Sequence, residues 1–370
     1  MPWSPALAFS EPARGVAIGG CRALAGSSSW ADRSLVRDGT FYPSRSLGAA
    51  QRLAYYASRL PLTEVATTYR FPPTPEVAAR WVASTPPGFT MDIRAWSLLS
   101  GAPTWPESLW PDLQGHIKPA RRESTKLYRH RLPADVVDEC WLRFHHAVSP
   151  LAEAGRLGAV IVRFPSWFRP GPSAWEELAA LPTRLAGFQV AVEISNERWF
   201  EGDACDQTLA LLEGLGLCFV CRDRPGPARP VVAATADVAF VRFPGRSPHT
   251  WDGPRLGGAG VGAGGAEPHD AEDVGADLGA EVGADVGADI GADVGAGAGT
   301  DRGGHATSEA SEPVVAWWSY RYSEAELAAW VPAVQDLASG TSEVHLILDN
   351  CWRADAVDNA TTLLQLLAHA

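Results

Sequence analysis

Lysine is almost missing from this chain: of the 31 Lys and Arg residues, only Lys118 and Lys126 are lysine. We take this as compositional bias, and it leaves arginine as the carrier of positive charge. Cysteine is sparse as well, with six in 370 residues, and the only close pair is Cys218 and Cys221 in "CFVC". That pair lies in an apolar run that reads as a strand, where positions three apart face opposite sides. Two buried structural thiols are therefore expected rather than a metal or redox pair. No apolar run approaches the ~20 residues of a membrane span. The N-terminus lacks both a basic stretch and a continuous apolar stretch, so no secretory leader is expected and the chain is placed in the cytoplasm. Its first 20 residues are rich in Ala, Pro and Gly and are expected to be disordered.

Aromatic residues are also missing between Trp251 and Trp317, although the chain has 15 Trp. That gap holds "VGADLGAEVGADVGADIGADVGAGAG", a four-residue repeat of Gly, Ala, an acid and Val, Leu or Ile. The period matches neither a helix at 3.6 nor a strand at 2. A glycine in every repeat disfavours helix by about 1 kcal/mol each, and the segment cannot bury enough apolar area to offset its ordering entropy. It reads as a disordered insertion rather than a short-period solenoid, and its period is wrong for the nonapeptide calcium repeats. Residues 257–301 hold ten acids and no Lys or Arg. They carry −10 of the formal charge of −12, so the remainder is near −2. The low pI thus says little about the folded part, and a nucleic-acid-binding surface is not expected. The expected organisation is a disordered 1–20, a first folded part 21–250, a low-complexity acidic insertion 251–312 and a last folded part 313–370.

Outside these segments, short apolar runs alternate with amphipathic ones. Strands are predicted over 22–30, 62–69, 89–95, 158–165, 188–195, 217–223, 238–245 and 343–350. Helices are predicted over 47–60, 75–84, 134–154, 173–185, 203–215, 323–337 and 354–368, with Ser173 and Ser323 as N-caps. Eight strands with intervening helices predict an α/β protein of the TIM (β/α)8 type. A doubly wound open sheet is the alternative, and the absence of a Gly-rich phosphate loop after the first strand counts against it. The acidic insertion then falls in the loop after the seventh strand.

Polar residues recur near the strand C-termini: Glu64, Asp92, Arg94, Arg163, Glu193, Asp223, Arg242 and Asn350. Charges of both signs at one end of a barrel suggest a pocket for a small anionic substrate. Glu64 and Glu193 are the candidate acid–base residues. Arg94, Arg163, Asp223, Arg242 and Asn350 are the candidate substrate contacts. The opposing reading is an internal ion-pair network, Glu64 with Arg94 and Glu193 with Arg242. No His falls at a strand C-terminus, and His145, His146 and His345 are read as structural or surface. No cofactor is expected; a magnesium site from Glu64, Glu193 and Asp223 is the weaker alternative.

Seven stretches then follow in order: "GSSSWAD…GTFYPSR", "LTEVATTYRFPPTPEVAARWVASTPPGFTMDIRAWSLLSG", "LGAVIVRFP", "AVEISNERW", "VAFVRFPGR", "YSEAELAAW" and "HLILDNCWRADAVDNA". Together they resemble the YecE-like family, the domain of unknown function numbered 72. The resemblance implies a TIM barrel akin to the xylose-isomerase and AP-endonuclease type, and no established activity. By resemblance Glu64, Glu193, Asp223, Arg242 and Asn350 keep their types. Ala66, Arg94, Ser195 and Pro244 depart from the family's Asn or Asp, Lys, Arg and His, which implies altered chemistry or lost activity. The expected function is acid–base chemistry on a small phosphorylated or polyhydroxy substrate. The alternatives are a non-catalytic binding or scaffold protein on a degraded barrel, and an AP-endonuclease-like phosphodiesterase.

Overall fold

The structure is a computed structural model that describes residues 13–117, 126–224, 230–246 and 319–370. Eight parallel strands close into a barrel: β2 (Cys21–Ser27), β3 (Leu62–Val65), β4 (Thr90–Arg94), β5 (Leu157–Phe164), β6 (Val190–Ile194), β7 (Cys218–Arg222), β8 (Val238–Phe243) and β9 (Glu343–Leu348). Closure runs through β2 and β9, whose six paired positions extend from Arg22–Glu343 to Ser27–Leu348. Helices follow the strands on the outside: α1 (Arg33–Asp38), α2 (Ala49–Ala57), α3 (Pro75–Ala83), α4 (Ala134–Glu153), α5 (Pro172–Arg184), α6 (Ala204–Gly214), α7 (Glu324–Ala328), α8 (Val331–Ala338) and α9 (Asp355–Ala368). The expected TIM-like barrel is what the chain forms.

The differences have local causes. Val16–Ile18 form a short strand, β1, antiparallel to the start of β2, so the expected disorder through residue 20 ends too late. The Gly19–Gly20 turn, with Gly19 at φ +58°, makes that hairpin. β1 occupies the edge of β2 below the point where β3 joins at Gly26 and Ser27. The run 62–69 ends as a strand at Val65, because Thr68 Oγ1 donates to the carbonyls of Val65 and Arg94 and a 3-10 turn follows. The expected helix over 323–337 is broken in two, with Pro332 in the first turn of α8. Ser323 caps α7 through a capping box with Glu326, as expected. Ser173 does not cap α5, which begins at Pro172 after Gly171. The acidic insertion lies outside the described residues.

Alternation along the strands separates two apolar layers. Inside the barrel, Leu24, Leu62, Ala159, Ile161, Ala191, Cys218, Val220, Phe240 and Ile347 fill the middle. The opposite faces, Cys221 among them, pack against the helices. Cys218 and Cys221 are thus buried on opposite sides of one strand. Gly26 is glycine because a Cβ there would lie 1.7 Å from the Leu62 carbonyl oxygen, where β2 and β3 approach.

The N-terminal end of the barrel is plugged by a charged cluster. His345, fully buried, contacts Asp92 through Nδ1 at 2.9 Å and Glu343 through Nε2 at 3.0 Å. Arg22 pairs with Glu343 in turn. Burial alone would lower the His345 pKa, but the flanking carboxylates Asp92 and Glu343 outweigh it and raise it to about 9. His345 is structural, as the sequence suggested.

Two predictions follow from the frame. A histidine with a raised folded-state pKa contributes stability in full below its unfolded value of about 6.5. That contribution is lost as pH rises through about 9. The thermal midpoint of the parent will therefore fall between pH 7 and 10 by more than that of His345→Gln, and parallel curves would refute the assignment. Arg246 and Tyr322, which flank the undescribed stretch 247–318, both bind the Asp223 carboxylate, so the two ends are held together by folded residues. Loop-closure entropy changes slowly with length. Deleting residues 257–301 should leave the midpoint within a few degrees, and a larger fall would show that the segment packs on the barrel.

Candidate functional site

With a period of two, each strand sends one residue near its C-terminal end into the barrel at a common height. These are Ser28, Glu64, Arg94, Arg163, Glu193, Arg222, Arg242 and Asp349, the first and last lying just beyond β2 and β9. Four guanidiniums and three carboxylates share the ring. Glu64 receives Arg94 Nε on Oε1 and Arg242 Nη1 on Oε2, both at 2.7 Å. Arg242 Nε lies 2.8 Å from Glu193 Oε2, and Arg163 Nε and Arg222 Nε each lie 3.5 Å from Glu193 Oε1. Asp349 Oδ2 faces Arg242 Nη1 at 3.3 Å and Arg94 Nη2 at 3.7 Å, while its Oδ1 accepts from Ser28 Oγ at 2.5 Å. Both pairs named for the opposing reading, Glu64 with Arg94 and Glu193 with Arg242, are in contact, and one guanidinium joins them.

Depth differs around the ring. Glu64, Glu193 and Arg242 are sealed, whereas Arg163, Arg222 and Asp349 keep 12–15% of their side chains exposed toward the mouth. Burial would raise the pKa of Glu193, but Arg242, Arg163, Arg222 and Arg94 together hold it well below the usual carboxylate range. Asp349 is likewise lowered, with burial outweighed by Arg242 and Arg94. Burial, opposed by Glu193 and reinforced by Arg163, pushes Arg222 down to about 10, still fully charged at neutral pH.

The charge contacts and the hydrogen bonds do not coincide. Arg242 Nε is close to Glu193 Oε2, yet neither atom makes a hydrogen bond of good geometry among the described residues. The N–H points past the oxygen, so the contact is Coulombic. Glu193 Oε1, Arg94 Nη2 and Arg242 Nη2 are also buried without a hydrogen-bond partner among the described residues.

Asp223 and Asn350 are not in the ring. Each sits one residue beyond an inward position, Arg222 and Asp349, and a shift of one turns a strand residue to the other face. Asp223 accepts from Arg246 Nε and Nη2, from Tyr322 Oη and from Trp330 Nε1. Asn350 donates to the Tyr320 carbonyl and to Asn359 Oδ1. Both side chains brace the chain on either side of residues 247–318. The magnesium trio Glu64, Glu193 and Asp223 is accordingly not assembled. Among the described residues, no group of three His, Cys, Asp or Glu side chains gathers as a metal site. Sequence reasoning missed Ser28, Arg222 and Asp349; counting by twos from Leu24, Val220 and Ile347 finds all three. Ser195 Oγ accepts from Arg222 Nη1 at 3.1 Å.

Removing Arg242 would leave Glu64 and Glu193 facing each other with less compensation. Breaking a buried pair on one side costs about 3–5 kcal/mol, so Arg242→Ala should unfold well below the parent in urea. A loss under about 1 kcal/mol, the range of exposed pairs, would mean that water reaches the ring freely.

Three comparisons bear on this geometry. A family profile described as a protein of unknown function, DUF72, matches residues 24–261 and 303–370. The match skips 262–302, inside the acidic segment. UPF0759 protein YunF of Bacillus subtilis (strain 168) is 22% identical over 348 residues, covering 92% of this chain and 93% of that protein. The crystal structure of a DUF72 family protein from Enterococcus faecalis V583 is similar with a TM-score of 0.60 at 19% identity, covering 93% of this chain and 95% of that one. Another from Thermotoga maritima MSB8 has a TM-score of 0.58 at 20% identity, with 93% and 98% covered. At these identities the structures speak for the fold, and the profile, matched along nearly all of the barrel, shows that this chain belongs to the DUF72 family.

Proposed function

We propose that the protein binds a small anionic ligand, phosphorylated or polyhydroxy, at the C-terminal mouth of the barrel. Arg94, Arg163, Arg222 and Arg242 would clamp it, and Glu64, Glu193 and Asp349 would hold the guanidiniums in place. The observation that carries this reading is the pair of buried guanidinium nitrogens, Arg94 Nη2 and Arg242 Nη2, that donate no hydrogen bond among the described residues. A buried donor left unsatisfied costs about 1–3 kcal/mol, more when charged. A phosphate or carboxylate oxygen matches such donors in charge and geometry.

The roles first considered for Glu64 and Glu193 change under this reading. Glu193 is held ionised by the guanidiniums around it and is a weak proton acceptor. Both Glu64 oxygens are engaged by arginine at 2.7 Å. Positioning of arginine suits them better than proton transfer. The same two bonds favour the second reading, a non-catalytic scaffold whose ring is a charged plug. A phosphodiesterase has no gathered metal-ligand set among the described residues to support it.

The test is calorimetric titration of the full chain with inorganic phosphate. The parent should bind at millimolar concentration or tighter, and Arg163→Ala should weaken binding by about tenfold or more, about 1.4 kcal/mol, while lowering the thermal midpoint less than Arg242→Ala does. No heat in the parent, with Arg163→Ala merely less stable, would leave the scaffold reading in place and remove this one.

A further inference from the structure

Among the described residues, five large apolar side chains are exposed: Phe71, Trp105, Leu142, Trp167 and Trp175. Leu142 lies on α4; Phe71, Trp105 and Trp167 lie in the segments that follow β3, β4 and β5, and Trp175 lies in the first turn of α5. These are βα connections, which leave the barrel at the end that carries the charged ring. Single exposed apolar residues are ordinary; four exposed rings in three consecutive βα connections are not explained that way.

Trp167 is the one best placed to meet a ligand. It lies four residues after Arg163, within about 14 Å by chain length. Its 43% exposure does not come from a loose loop, because both neighbours are fixed. The Ser166 carbonyl accepts from Asn196 Nδ2 at 2.5 Å, and the Phe168 carbonyl accepts from Trp199 Nε1 at 2.8 Å. The Phe168 ring is stacked between Phe164, at 4.0 Å, and Trp199, at 5.2 Å. An indole presented this way loses little entropy when something stacks on it. Trp105 differs, since Lys126 Nζ already covers its ring at 3.6 Å.

We infer that the anion bound at the mouth carries a ring with a flat apolar face, a sugar or a nucleobase, and that Trp167 is its stacking platform. The inference rests on the proposed anion site and adds the class of molecule attached to the anion. The guanidiniums take the charged group. The indole takes the ring face, through C–H contacts for a sugar or through offset stacking for a base.

The experiment titrates the full chain and Trp167→Ala with inorganic phosphate, glucose 6-phosphate and adenosine monophosphate by calorimetry. In the parent, at least one ring-bearing phosphate should bind about tenfold or more tighter than phosphate, and the preferred one separates sugar from base. In Trp167→Ala that advantage should vanish while phosphate affinity stays. Equal affinities for all three ligands in the parent, or an advantage that survives Trp167→Ala, would overturn the inference and leave the anion site standing. No binding of any of the three by the parent would overturn both.

Discussion

Arg242 lies between two carboxylates that cannot leave the barrel. Glu64 reaches it from β3 and Glu193 from β6, and none of the three touches bulk water. Bringing a single charge of this kind out of water is prohibitive, so each is tolerable only because the others arrive with it. The strands that carry them are separated in sequence by up to 178 positions, and only barrel closure unites them. Folding of the sheet and neutralisation of the ring are therefore one event. The side chains at the edge of the group, Arg163, Arg222 and Asp349, are the ones that retain contact with the mouth.

The barrel interior is layered by polarity. At the N-terminal end, His345 is gripped by Asp92 and Glu343, with Arg22 completing the chain of charges. Above it lies an apolar layer that includes Ile161, Val220, Phe240 and Ile347. The arginine and carboxylate ring closes the other end. The two charged layers differ in composition. The lower one holds one histidine and one arginine against two acids, with its histidine contacts saturated, whereas the upper one is rich in guanidinium and leaves buried donors without hydrogen bonds. This asymmetry places the ligand-binding proposal at the C-terminal end, where the loops of such barrels also offer the most freedom to build a site.

A second polar group works outside the ring. Asp223 takes four hydrogen bonds from Arg246, Tyr322 and Trp330, and Asn350 and Asn359 fasten the backbone at Tyr320 and Tyr322. Gly245, at φ +92°, comes so close to Tyr320 that a Cβ would lie 3.0 Å from the tyrosine Cβ. The described residues on either side of 247–318 are thus fastened at one braced point. A long low-complexity stretch can be carried there without disturbing strand pairing between β8 and β9, which spans six registered positions.

The eight strands were legible because each is a short run carrying apolar residues between helical patterns, and the count with its alternation is enough to specify a barrel. Glu64, Arg94, Arg163, Glu193 and Arg242 were legible for the same reason, as charges inside apolar runs. That Asp223 and Asn350 lie outside the ring was not legible, because side-chain direction depends on the strand's register to a single residue, and the sequence marks strand ends only loosely. Ser28, Arg222 and Asp349 were hidden by the same ambiguity. The brace on Asp223 needed contacts across as many as 107 positions, which no local pattern encodes. The sequence by itself determined which segments become strands and that charge would collect at their ends, because period and composition are local properties. Which charges face one another, and which merely hold the chain in place, was decided only by the closed sheet, because direction and distance between strands are set by register and not by order along the chain.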